Sequence, residues 1–224
     1  MRIVFKDEAF GEVKEISIII VINNRVLTRK MVRAGNCWLI DMDIPDGEHM
    51  YKYVINESLR FNDKDAYKYV RWKDGEVWSV LRVESGQIMQ QNFHKPVIAG
   101  YSMTPGVRYG QYCSNHLFKN TLDEKFSISV DVSELTDIHS VTAIWYREDG
   151  SVYHIEEQTI DCPQDNYIYT VNAVFWIDIP AILYDTGNNW TVEIYIDGAL
   201  KIKDYFKNEN KGDKRNVRFN SFIK

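Results

Sequence analysis

Trp38-Leu39-Ile40-Asp41-Met42-Asp43-Ile44-Pro45-Asp46-Gly47-Glu48-His49-Met50-Tyr51-Lys52-Tyr53-Val54-Ile55 reads as strand, turn, strand. Trp38, Ile40, Met42 and Ile44 share one parity, and Asp41 and Asp43 take the other. A period of two puts the first set on a buried face and the acids in water. Pro45-Asp46-Gly47 interrupts the run with turn chemistry. Beyond it Tyr51, Tyr53 and Ile55 alternate again. The spacing predicts a hairpin or near-hairpin across this turn.

The same grammar extends outward in both directions. Ile16 to Ile22 is a β-branched run ended by Asn23-Asn24, a buried strand followed by a turn. Val26 to Val32 is a poorer strand. Asp74-Gly75 marks a turn, after which Val77, Ser79, Leu81 and Val83 close the first set. From Glu84 to about Lys125 the pattern weakens under Gly86, Pro96, Gly100, Pro105, Gly106 and Gly110. We read this stretch as a linker plus an opening strand. Tyr101, Tyr109, Tyr112 and Phe118 argue that it packs on something. A second set follows: Phe126 to Val132, Ser140 to Tyr146, Val152 to Ile155, Tyr167 to Ile179 and Trp190 to Ile196. Turns at Asp149-Gly150 and Asp197-Gly198 punctuate it, and Leu200 and Ile202 continue past the latter. The polar tail from Lys207 to Lys224 is either frayed or an added edge strand. Short strands with regular turns and no capped helix predict an all-β chain of two consecutive antiparallel β-sandwiches. The division expected is 1–88 and 89–224.

Composition bounds the function. The chain has 224 residues, 45% of them apolar, with 14 Tyr, 10 Phe and 6 Trp. The net charge of −5 comes wholly from residues 91–224. No basic face of the kind that tracks phosphates is indicated, so nucleic acid is not an expected partner. No apolar run approaches the roughly 20 residues of a membrane helix. Met1 to Glu12 is charged and lacks the apolar stretch of a signal peptide. The sequons at Asn56 and Asn189 are therefore read as coincidence. Cys37, Cys113 and Cys162 are odd in number and widely spaced, and are expected as reduced thiols of a cytoplasmic protein.

At Pro45-Asp46-Gly47-Glu48-His49-Met50-Tyr51-Lys52-Tyr53-Val54 the chain resembles the family-48 carbohydrate-binding modules, the glycogen-binding relatives of branching-enzyme domains. Phe61-Asn62-Asp63 falls where that family has its second turn, and Gly75 to Val83 where it has its closing strand. The likeness runs from Val13 to Val83. It implies an immunoglobulin-like early-set sandwich and sugar binding by two tryptophans, a lysine and an asparagine. The lysine carries over as Lys52. The tryptophan positions fall at Arg25 and Leu59 and the asparagine near Ser79, so both stacking platforms are replaced. Gly187-Asn188-Asn189-Trp190 leading to Asp197-Gly198, with Trp145 to Gly150, resembles bacterial immunoglobulin-like accessory domains.

A pyranose is bound by stacking on a flat ring and by polar groups that read its hydroxyls. Lys52, Trp72, Trp78 and Tyr69 are the candidates here. Trp72 lies between Arg71 and Lys73, and Trp78 has the parity opposite to Ser79 and Leu81, so one reading turns both outward. The competing reading packs both against the sandwich or between domains. The remaining polar motifs read as solvated or structural. His49, His94, His116, His139 and His154 lack ligand spacing. Asn62-Asp63-Lys64-Asp65 lacks the Gly and Glu of a calcium loop. Glu156-Glu157 and Asp41/Asp43 read as water-facing carboxylates. Cys113-Ser114-Asn115-His116 is loop chemistry. No phosphate loop, hydrolase elbow or zinc-protease helix is present, and no cofactor is expected. The sequence thus points to a non-catalytic α-glucan-binding or accessory protein of glucan metabolism. Its alternative is a structural or protein-interaction protein, self-association included.

Overall fold

In the computed structural model the Asn23-Asn24 turn joins β2 (Ile16–Ile22) to β3 (Arg25–Lys30) with both asparagines at positive φ, 49° and 61°. Two left-handed residues are what a tight two-residue hairpin requires, and asparagine tolerates that region. The structure describes residues 1–6, 13–73, 75–89, 96–105, 125–162, 170–178, 189–211 and 214–223. Tyr109, Tyr112 and Cys113 lie outside them.

Two sheets take their strands from the first part of the chain. Sheet A orders β1 (Arg2–Lys6), β5 (Cys37–Asp41) and β4 (Val32–Ala34). Sheet B is built on β10 (Gln87–Met89), β9 (Val77–Glu84), β6 (Gly47–Ile55), β2 and β3. β7 (Leu59–Phe61) pairs with β6, and β8 (Lys68–Arg71) pairs with β9. Ile3, Phe5 and Trp38 of sheet A meet Ile16, Ile18, Ile20, Tyr53 and Leu81 of sheet B in one apolar core.

Two more sheets come from the rest. Sheet C orders β11 (Val97–Pro105), β12 (Lys125–Ser133) and β15 (Val171–Asp178). Sheet D orders β14 (Val152–Asp161), β13 (Ile138–Tyr146), β16 (Asn189–Ile196), β17 (Ala199–Lys211) and β18 (Lys214–Ile223). Between them lies a second core of Phe126, Ile128, Trp145, Phe175, Trp190 and Phe206. The Trp190 and Phe206 rings stack with centroids 6.0 Å apart. All strand pairs are antiparallel, and the described residues contain no helix. None therefore forms a helix long and apolar enough to cross a membrane.

Two local expectations change. The hairpin over Pro45-Asp46-Gly47 does not form: β5 pairs with β1 and β4, whereas β6 pairs with β2, β7 and β9. The turn carries the chain from one sheet to the other, which alternation alone cannot distinguish from a hairpin. Residues 84–89, read as the start of a linker, are instead the β9–β10 hairpin. Asp46 accepts from Ser85 N–H and Gly86 N–H, both at 2.9 Å, and holds that turn. Of the two readings of the tail the edge strand holds: Lys214–Ile223 is β18, paired with β17 at the end of sheet D. Cys37 and Cys162, both half-buried, are in no disulfide.

β13 is buried along its whole length. One side of it meets sheet C; the other meets the first pair of sheets, touching β8 and β9. Ile144, Tyr146 and Tyr195 of sheet D belong to the core that contains Phe61 and Tyr53. Phe61 and Tyr195 meet edge to face at 4.8 Å.

Candidate functional site

Lys52 sits mid-strand in β6 with its side chain only 2% exposed. Its Nζ lies 3.3 Å from Glu76 Oε2 and 3.2 Å from Glu157 Oε1. Glu157 belongs to β14 of sheet D, and Thr142 Oγ1 on β13 donates to its other oxygen at 3.5 Å. Burial holds the Glu157 carboxyl above the usual range, against the pull of the Lys52 ammonium. A lysine buried to this degree is retained only with such partners. The ammonium that the resemblance offers to sugar hydroxyls is thus engaged by two carboxylates. Glu157, read as water-facing, is a half-buried partner, its side chain 20% exposed.

The two tryptophans do come together, but not as open platforms. Their ring centroids are 5.8 Å apart at 40°. Trp78 is 5% exposed, in line with the reading that packs it against the sandwich or between domains. Its indole Nε1–H meets no acceptor among the described residues. Trp72 is half-buried, with the Lys73 ammonium 5.6 Å above its ring. Tyr69 is 9% exposed and its hydroxyl donates to Asp63 O at 2.7 Å, with Asp197 O at 3.4 Å.

Around Tyr69 is a polar cluster that spans both halves of the chain. Asp63 Oδ2 accepts from the hydroxyls of Tyr51 and Tyr53 at 2.9 and 3.0 Å, and its Oδ1 from Asp65 N–H at 2.9 Å. Burial raises the Asp63 carboxyl, and these bonds partly counter it. Burial beside that carboxylate also drives both tyrosines well above their ordinary range. Asn62 donates to Ser140 Oγ at 3.1 Å across the interface and accepts from Ser79 Oγ at 3.1 Å. His139 Nδ1 lies 2.6 Å from Asp197 Oδ2, and Ser140 N–H donates to Asp197 Oδ1 at 2.9 Å. Gly198 then approaches so closely that a Cβ there would lie 2.0 Å from Asn62 O. With φ at +80° it satisfies both the turn and the contact, a pairing only glycine supplies. His139 and Asp63, read as surface groups, are therefore structural members of the interface. The signal available was the Asp197-Gly198 turn, whose glycine also permits close backbone approach.

Two clefts flank this interface. One of about 620 Å³ is lined by β1, Asp63, Leu81, Ile88 and Gly198 to Leu200. The other, about 340 Å³, lies between Ile55, Leu59, Tyr146 and Gly150. A third feature is the outer face of sheet C. There Trp176 is 42% exposed and stands in register with Ser127. Asn172 Nδ2 donates to Ser129 Oγ and Asp131 Oδ1, both at 2.6 Å. Among the described residues no group of three or more His, Cys, Asp or Glu side chains is placed to hold a metal ion. No family model and no curated protein matches the chain.

Proposed function

We propose that this chain is a structural or protein-interaction protein. Its two pairs of sheets are immunoglobulin-like sandwiches divided near residue 88, packed together as one binding body without catalysis. The observation that carries this reading is the state of Lys52. A sugar-reading lysine must present free donors to solvent, whereas Lys52 is buried against Glu76 and Glu157. Trp78 beside it is buried too. The surface that the resemblance assigns to glucan is thereby spent on holding the chain together. Exposed apolar side chains then fall elsewhere, on strands including Val26, Val32, Ile88 and Leu200. Such positions, gathered and rimmed by charge, mark protein contacts. Titration of glycogen or maltoheptaose into the full chain should give no heat that Lys52→Met, Trp72→Ala or Trp78→Ala abolishes. Loss of a measurable affinity in any of these, with the fold intact, would restore the glucan site to the first pair of sheets.

Trp176 favours a second reading, α-glucan binding on sheet C. The exposed indole shares the outer face of sheet C with Asn172, Ser129 and Asp131, a stacking ring and polar groups on one face. Under it, Trp176→Ala abolishes binding that Lys52→Met leaves in place.

A further inference from the structure

Among the described residues β1 is an edge strand: sheet A orders β1, β5 and β4, and β5 is the one described strand that pairs with it. Its burial alternates, with Ile3 and Phe5 inward and Arg2, Val4 and Lys6 outward. The other edge runs along the cleft of about 620 Å³, and all five residues of the strand line it. Across the cleft stand Ile88 of β10 and Leu200 at the start of β17. Val4, Ile88 and Leu200 are 43%, 38% and 38% exposed, although they come from three different sheets. The fold has gathered three solvent-facing apolar side chains beside a strand edge that no described strand pairs with. A free edge offers backbone donors and acceptors to a further strand, and flanking pockets read its alternate side chains.

Charge decides which strand fits. Were a second copy of β1 to pair with it antiparallel about Val4, Arg2 would stand opposite Lys6 and Lys6 opposite Arg2. Like charges directly opposed destabilise a strand pair. Arg2 is already held by Asp41 at 2.9 Å, on the same sheet. Lys6 and Lys64 line the cleft with Asp63 and Asp65, and the Asp63 carboxylate is already taken up by the Tyr51 and Tyr53 hydroxyls. Resting on the interaction reading above and sharpening it, we infer that the cleft receives an extended strand from another protein. That strand is apolar at alternate positions, to meet Val4, Ile88 and Leu200, and acidic at the end that meets Lys6.

The probe is a fluorescent heptapeptide, Glu-Val-Thr-Val-Thr-Val-Glu, compared with its twin carrying Lys at both ends, titrated into the full-length chain. The acidic peptide should bind, and the basic twin should bind on the order of tenfold more weakly or not at all. Ile88→Lys and Leu200→Lys should each weaken binding roughly tenfold or more. Both positions are partly exposed, so both variants should keep the wild-type melting curve. Val26→Lys on β3, 61% exposed and away from the cleft, should bind as the wild type does. Equal binding by the Ile88→Lys and Leu200→Lys chains would overturn the cleft and leave the interaction reading standing. No binding of either peptide by the wild type would also overturn the cleft. A wild-type chain that in addition captures no partner strand from a displayed peptide library would take the interaction reading down with it. Concentration-dependent dimerisation abolished by Ile88→Lys or Leu200→Lys would overturn the foreign strand in favour of a second copy.

Discussion

Sheet D has two buried faces, and they are built differently. Towards sheet C it presents Val141, Ala143, Trp145, Trp190, Val192, Ile194 and Phe206, an apolar layer packed on Phe126 and Phe175. Towards the first pair of sheets it presents Ser140, Thr142, Glu193 and Asp197 among Ile144, Tyr146 and Tyr195, together with Glu157. There Tyr195 OH donates to Glu193 Oε2 and Lys203 Nζ to Oε1, both at 2.6 Å. The first face stabilises by area and shape. The second stabilises only where every polar group finds its partner, because an unpaired buried group costs its full desolvation. A dry layer tolerates register errors within limits of volume, whereas a polar layer fixes one arrangement of the two halves.

This contrast can be tested by deletions of different kinds. The largest effect belongs to the dry face: Trp145→Ala should cost ~3–5 kcal/mol in denaturant unfolding. A loss below ~1 kcal/mol there would remove the distinction between the faces. Next, Lys52→Ala strands two carboxylates and should cost ~3 kcal/mol, somewhat less because Glu76 is 36% exposed and can turn to water. The double variant Lys52→Met/Glu157→Leu should recover most of this, since it removes the buried ammonium together with its half-buried carboxylate. A double variant no more stable than Lys52→Ala would show that the pair is not what joins these strands. Gly198→Ala forces a Cβ onto Asn62 O at positive φ and should cost ~2 kcal/mol, with faster proteolysis between the halves. An unchanged melting curve would mean the turn does not touch Asn62.

Acid titration gives a smaller signal of defined sign. Asp63 and Glu157 are both raised in the folded chain by burial. Their contribution is therefore fully present below the ordinary carboxylate range and is lost as pH rises through the raised folded values. Asp63→Asn should flatten that fall in stability between acidic and neutral pH. A wild-type profile that instead gains stability over this window, by an amount Asp63→Asn removes, would contradict the assignment. The smallest effect belongs to the exposed pair of Arg71 and Asp161, 2.8 Å apart across the halves. With side chains 49% and 62% exposed, Arg71→Ala should cost ~0.5 kcal/mol or less.

Much of the fold was legible because its signals are local. The β-branched run of β2, the alternation of Phe126 to Val132 and the Asp197-Gly198 turn each name a strand or a turn within a few residues. Partnership is not local, and there the reading failed. The runs either side of Pro45-Asp46-Gly47 are both strands, yet they join different sheets. The candidate site was legible only as residue types. Lys52 and the tryptophans were singled out, but parity does not say which face another part of the chain will cover. Glu157 stands 105 residues from Lys52, and His139 stands 58 from Asp197. Carboxylates and imidazoles of this kind look solvated until the contact that buries them is known. Nothing in the neighbourhood of Glu156-Glu157 announces Lys52.

The central claim is that Lys52 joins the two halves of the chain and is closed to any ligand. Amine acetylation of the native full-length protein, followed residue by residue by mass spectrometry, tests it most directly. Lys52 should stay unmodified on the timescale at which the exposed Lys14, Lys30 and Lys73 react to completion, and should react only on unfolding. Labelling of Lys52 in the native protein at the rate of those three would contradict the account.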